Sequence, residues 1–354
     1  MKRTMLIFAL LLALALTVLL ASCSPRGEKG GTTGTEGCAH VWNEGKQLTP
    51  PTCQSTGQVI YTCTVCGEKK TEVVPADPTA HSFGSSWRIV TPPTATQDGV
   101  EERVCSRCCT ATTQPVKYAD YSASVNEIKG KATSFKTSDF GSGSVTTNLG
   151  GSYPVPTVKP TAGQHPRVLF NAGDIAGIKR ELYDVRSVTA SNLFRQAVKK
   201  PTDGKLSGSK NFSDETLNKI QALALDYRLT GNQISGYSAI YAIKNALTTL
   251  NYAGMSDVTR YYGYTMYIAA CVYDWCHDLL TETDKTQIVL GVQKQCCEAG
   301  MEEGFPPSKN EAISGHGCEF GILRDYLAFA IAIYDEYPGW WNYIGGRFYQ
   351  VTNS

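Results

Sequence analysis

Residues Asn310–Tyr343 read NEAISGHGCEFGILRDYLAFAIAIYDEYPGWWNY. A polar loop ending in Ser314-Gly315 runs into an apolar segment in which Phe320, Leu323, Leu327, Ala330, Ile331 and Tyr334 recur at helical intervals. That period predicts a mostly buried helix over 317–336, with Pro338 just past its end as a stop. His316 and Glu319 stand at its mouth, three residues apart and therefore on one face. An imidazole and a carboxylate at the exposed start of a rigid rod suit acid/base chemistry. They equally suit a structural role, with His316 helping to cap the helix and Glu319 facing its positive end.

The chain before this rod has the same texture. Helical periods run over 172–183, 187–199, 213–229, 233–250, 257–279 and 283–300, and a short further helix begins near 339. Ser213, Asp257 and Thr281 or Thr283 stand at N-cap positions, while Gly231, Gly254 and Gly304 fall in the breaks. Successive helical hairpins with apolar faces predict an α/α toroid or a hairpin array. Tyr261, Tyr262, Tyr264, Tyr267, Tyr273 and Trp275 fit a helical core, and also fit stacking on sugar rings in a cleft. His277 reads as a satisfied histidine in a C-terminal turn. Cys271, Cys276, Cys296, Cys297 and Cys318 lack metal spacing and read as buried thiols.

Several short motifs recur in a fixed order over 165–354: His165-Pro166-Arg167-Val168-Leu169-Phe170, Tyr227-Arg228-Leu229-Thr230-Gly231-Asn232, and Tyr273-Asp274-Trp275 followed by Leu280-Thr281. Gly315-His316-Gly317-Cys318-Glu319 and Ala330–Pro338 complete the series. In this order they resemble the N-terminal part of the heparinase II/III-type polysaccharide lyases. The resemblance implies an α/α toroid over 165–354, continued in that family by a β-sandwich. It also implies an acidic, uronate-containing polysaccharide as partner, no cofactor for catalysis, and an active site holding His316 and Glu319. Such a lyase removes the proton at C5 and expels the 4-linked sugar. Glu319 would neutralise the substrate carboxylate and His316 would act as base or as partner to one. The family's catalytic tyrosine and second histidine come later than Ser354, so the expectation is an incomplete toroid without its full catalytic set. Two other readings fit the same residues: a non-catalytic glycan-binding protein, and a glycoside hydrolase pairing Glu311 with Glu319 or Asp325.

Residues 1–22 form a signal peptide with Lys2-Arg3, an apolar run from Thr4 to Leu19, and Leu20-Ala21-Ser22 before Cys23. The apolar run is short for a membrane span. The pattern resembles that of bacterial lipoproteins, which implies lipidation of Cys23, a membrane anchor and an extracytoplasmic location. Residues 23–37 are a Gly/Thr/Ser-rich tether.

An internal repeat follows, over 38–80 and 81–118. Gly57 and Gly99, Cys63 and Cys105, and Cys66 and Cys108 are each 42 residues apart, and Thr52 matches Thr94. His40 and His81 open the copies, with Trp42 and Trp87 behind them. Val59–Thr62 and Val100–Val104 predict short strands. Such small units lack a core of their own and need a staple. Cys63-x-x-Cys66 and Cys105-x-x-Cys108 have the spacing of zinc knuckles, which predicts two zinc-ribbon-like β repeats. His40, Cys53, Cys63 and Cys66 would complete the first set, with Cys38 or His81 as substitutes. Ala95 stands where Cys53 recurs, leaving Cys105, Cys108, Cys109 and His81 for the second. Export makes disulfides such as Cys38–Cys53 the competing staple.

Residues 119–164, rich in Ser, Thr, Gly and Pro, read as a spacer with at most a strand or two. The whole is a multidomain chain of 354 residues, mainly α, preceded by two small β repeats. A formal charge of +1 provides no basic surplus for phosphate backbones and argues against nucleic acid.

Overall fold

The computed structural model describes residues 37–108, 110–149, 153–183, 194, 197–198, 202–206, 212–252, 258–298 and 319–352. It divides into two compact units, Met1–Thr49 with Gln58–Val74, and Pro50–Gly57 with Pro75–Ser354.

Each repeat forms a three-stranded antiparallel sheet. Strands β1 (Lys46–Thr49), β2 (Gly57–Thr62) and β3 (Lys69–Val74) make one, and β4 (Arg88–Thr91), β5 (Gly99–Val104) and β6 (Ala111–Val116) the other, each in sequence order. The first hairpin of both carries a register shift at the same place, Gln47/Thr49 and Ile89/Thr91. The Cys63 N–H donates to Glu68 O at 2.7 Å and the Cys105 N–H to Thr110 O at 2.9 Å. Those bonds fold each C-x-x-C into a tight knuckle between the second and third strands. Trp42 bridges to Cys63 and Phe83 to Cys105, so Phe83, rather than Trp87, is the counterpart of Trp42. Trp87 instead lies under the Arg103 guanidinium.

The segment read as a spacer contains a helix, α1 (Tyr118–Ala132). Its composition is polar, but Tyr121, Val125 and Ala132 are buried on one side, a stripe too sparse to stand out in the sequence. The Tyr121 hydroxyl accepts a bond from the Gln233 N–H, and α1 packs on α4 (Gln233–Thr249). Further along, the Trp340 indole donates to Thr146 O.

Among the described residues the longer helices that follow are α2 (Ile175–Tyr183), α3 (Asp214–Thr230), α5 (Val258–Trp275), α6 (Glu282–Gly291), α7 (Glu319–Ala332) and α8 (Pro338–Thr352). Ser213 caps α3 by accepting from Thr216 N–H, and the left-handed Gly231 closes its other end. Asn232 then caps α4, making α3 and α4 a helical hairpin joined by two residues. Thr281 and Asp284 form a capping box on α6, which passes into a π-helical turn over Val292–Glu298. Pro338 ends the preceding segment as expected and opens α8, which runs longer than the short helix read there. Helix α5 packs against both α3 and α7, and α7 against α8. Ala269, Val272, Tyr273, Phe329, Ala330 and Trp340 are fully buried in this layer. The 187–199 helix falls mostly outside the described residues.

A buried ion triad joins the second sheet to the helices. Arg88 of β4 reaches Glu102 at 3.3 Å and Asp226 of α3 at 3.5 Å. Asp226 is fully buried and also accepts from Ser235 Oγ at 2.6 Å. Burial holds its carboxyl above the usual carboxylate range, while Arg88 pulls the other way. Strand β1, the counterpart of β4, is exposed along its whole length.

Among the described residues, no helix is long and apolar enough to cross a membrane.

Candidate metal centres and the clustered motif residues

The structure gathers two sets of three sulfurs and one imidazole. Cys38, His40, Cys63 and Cys66 form one, and Cys53, His81, Cys105 and Cys108 the other, with the ligand atoms of each set within 4.8 Å of one another. The first lies within the first compact unit and the second within the second. Of the nine residues named from the sequence as possible metal ligands, eight are in these sets, but Cys53 sits with the second, and Cys38, offered as a substitute, completes the first. Cys38 and Cys53 are therefore not bonded to each other, and the ten cysteines described are all free thiols. Cys109 lies outside the described residues.

A tetrahedral zinc with Zn–S of about 2.3 Å and Zn–N of about 2.0 Å sets its ligand atoms roughly 3.5–3.8 Å apart. In the first set Cys38 Sγ and Cys63 Sγ are 3.9 Å apart, and Cys66 Sγ and His40 Nδ1 3.4 Å. In the second, Cys53 Sγ and Cys105 Sγ are 3.7 Å apart, and Cys108 Sγ and His81 Nδ1 3.2 Å. Both donor sets fit such an ion in chemistry and in spacing. Backbone N–H groups support them, from Val65 to Cys63 Sγ at 3.4 Å and from Ser82 to Cys105 Sγ at 3.3 Å. His40 turns its other nitrogen to the Glu68 carboxylate at 3.2 Å and stacks on Trp42. A carboxylate on the far nitrogen fixes the ring with Nδ1 toward the sulfurs.

The thiols of each set pull apart in acidity. Burial would raise Cys63, but the backbone at Cys66, His40 and the Val65 N–H lower it to about 5. Cys38 goes the other way, to about 12, chiefly through its hydrogen bond to Cys66. Likewise Cys105 is lowered to about 6 against the effect of burial, by the N–H groups of Arg107, Cys108 and Ser82. Cys53 is raised to about 11, by burial first and then by Cys108 and Cys105. Adjacent thiols cannot all ionise alone, and a bound dication removes that conflict.

The motif residues of the helical region meet in a second cluster. His165 Nδ1 lies 2.6 Å from Asp274 and its Nε2 3.1 Å from Asp335. Asp274 also accepts the N–H groups of Arg167 and Val168, both at 2.8 Å. The Arg167 side chain reaches Asp335 and Ala332 O, and Arg228 donates to His165 O. The His277 ring stacks on His165 at 3.7 Å and bonds to Glu336, which also receives Lys285. Burial works against Glu336, yet His277 and Lys285 bring its pKa down to about 2. This cluster is largely buried, and its geometry is that of a strap fastened across α5 and the end of α7. His277 thus sits part-buried in a turn after α5, bonded rather than free.

His316 lies outside the described residues, as does the side chain of Glu319, and so do Glu311 and Cys318. The aromatics of α5 sort by face: Tyr262, Tyr273 and Trp275 are buried, while Tyr261, Tyr264 and Tyr267 are half-buried at i, i+3 and i+6. The Arg324 guanidinium lies 5.6 Å from the Tyr267 ring. Asp325 is buried beside Arg324, and burial raises its carboxyl to about 6. Cys271, Cys276, Cys296 and Cys297 are buried thiols, and burial raises all four.

Nothing local in the sequence marks Glu68 as the partner of His40 or allots Cys53 to the second set. The available signal was a comparison of the copies, Cys38-x-His40 in the first against Thr79 at the matching place in the second. No known family model matches the chain, and no curated protein matches it.

Proposed function

We propose that the chain is an exported, lipid-anchored protein of the heparinase II/III polysaccharide-lyase type, in which two zinc-held, zinc-ribbon-like β repeats precede the first helices of an α/α toroid. The observation that carries the helical half is the convergence of His165, Arg167, Asp274 and Asp335 on one network. These residues come from three of the motifs on which the resemblance rests, and a shared scaffold is a reason for them to be present together. Zinc is favoured by the three-sulfur, one-nitrogen donor sets and by the closeness of their ligand atoms, within 4.8 Å of one another in each set.

In this reading the zinc ions are structural, and the glycan chemistry belongs to the helical half. Glu319 neutralises the uronate carboxylate, His316 serves the C5 proton, and Cys23 carries the lipid. The test uses protein expressed with any coding sequence that follows Ser354 and incubated with uronate polymers. Unsaturated uronate ends absorbing in the ultraviolet are expected, with loss of roughly a hundredfold or more in His316→Ala and in Glu319→Gln. Full activity in both variants would remove the assignment. New reducing ends without the chromophore would replace elimination by hydrolysis.

A further inference from the structure

The two donor sets are built differently, and the difference follows the order of the repeats. Cys53 and Ala95 occupy the same place in the two copies, inside matching turns. The Thr52 N–H donates to Ser55 O at 2.9 Å in one, and the Thr94 N–H to Gln97 O at 2.8 Å in the other. The turn cysteine of the first copy does not face that copy's own sulfurs. It stands 3.7 Å from Cys105, in the set of the second copy. Ala95, its counterpart, is exposed in its turn.

The fourth ligand of the first set comes instead from Cys38, two residues before His40. The second copy has Thr79 two residues before His81, and so has no cysteine there. The substitutions therefore match in pairs. Where Cys38 supplies the first set, no earlier copy is present in the sequence to lend a turn cysteine. Where Ala95 replaces the turn cysteine, residues 119–354 contain no later copy to receive it.

Resting on the metal reading above, we propose that the repeats form a ligand relay, in which the turn cysteine of one copy completes the metal site of the copy that follows. Cys53 is then a ligand of the second copy's metal, Cys38 caps the front of the relay, and Ala95 marks its end. The arrangement suits modules too small to hold a core. A metal that draws ligands from sequence-distant turns closes a long loop, which removes more freedom from the unfolded chain than a knuckle alone.

The experiment follows each site by its cysteines. Full-length protein loaded with zinc, and its Cys38→Ser, Cys53→Ser and Ala95→Cys variants, are treated with an alkylating agent. Mass spectrometry reads the rate at each thiol, and metal equivalents are measured in parallel. In the parent chain two equivalents are expected, with all six ligand cysteines protected. Cys53→Ser should speed alkylation of Cys105 and Cys108 at least tenfold while Cys63 and Cys66 stay protected. Cys38→Ser should do the reverse. The thiol introduced at position 95 should react freely, with the metal content unchanged. Exposure of Cys63 and Cys66 by Cys53→Ser, or protection of the position-95 thiol by metal, would overturn the relay and leave the metal reading standing. A parent chain that binds no metal would overturn both.

Discussion

Replacing Arg88 by Met removes the one cation of the Arg88–Glu102–Asp226 triad and keeps the side-chain volume close to the original. Glu102 retains some exposure, 11 % for its side chain, but Asp226 retains none. Asp226 must then be neutralised by a proton. Taking an unfolded Asp value of about 3.9, that proton costs at most about 4 kcal/mol at pH 7 and about 1.5 kcal/mol at pH 5. The carboxyl is already raised in the parent chain, so part of this cost is present before the change, and the expected loss is about 2–4 kcal/mol at pH 7. The sign follows from a folded value above the unfolded one: Asp226 costs stability as pH rises, and Arg88 limits that cost. Urea unfolding of both proteins at pH 7 and pH 5, followed by α-helical circular dichroism, measures it. The gap should shrink to below about 1.5 kcal/mol at pH 5, and adding Asp226→Asn should recover most of it at pH 7. A loss under about 1 kcal/mol at pH 7, or an equal loss at both pH values, would show that Arg88 does not offset the buried Asp226 charge.

Gly204 has φ near +74° and a Cβ there would stand 1.9 Å from Ala242 O, so Gly204→Ala should destabilise by more than about 3 kcal/mol in thermal melts. A melt within a degree of the parent would contradict that contact. Glu336 is held at about 2, below its ordinary 4.5, so the stability it contributes is present above pH 4.5 and lost as pH falls toward 2. Glu336→Gln should flatten that acid slope, and an unchanged slope would remove Glu336 as its source. Cys23→Ala should move the protein from the detergent phase to the aqueous phase; unchanged partitioning would end the lipid-anchor proposal.

The repeats were legible because periodicity survives translation by 42 residues: the paired C-x-x-C motifs and the strands lie where that spacing put them, and the opening histidines recur one residue short of it. Ligand allotment was not legible, since a turn cysteine can face either neighbour and only the path of the chain decides which. Helices α3, α4 and α5 announced themselves through their apolar periods, with Ser213 and Gly231 marking the ends of α3; the Asn232 cap of α4 came from the structure. Helix α1 did not, because three buried side chains in a largely polar 15-residue stretch give too weak a stripe. The strap network was hidden for a different reason. His165, Asp274 and Asp335 stand in three separate motifs, the two aspartates 109 and 170 residues after the histidine, and they become a cluster only when α5 and α7 pack side by side.

Zinc K-edge absorption on the purified full-length protein, with metal content measured on the same sample, reports both the number of ions and the donors around them. Two zinc ions per chain are expected, each with a shell of three sulfurs at about 2.3 Å and one nitrogen at about 2.0 Å. Absence of zinc together with cysteines that resist alkylation until a reductant is added, or shells of two sulfurs and two nitrogens, would contradict the two Cys₃His centres on which the account of the repeats stands.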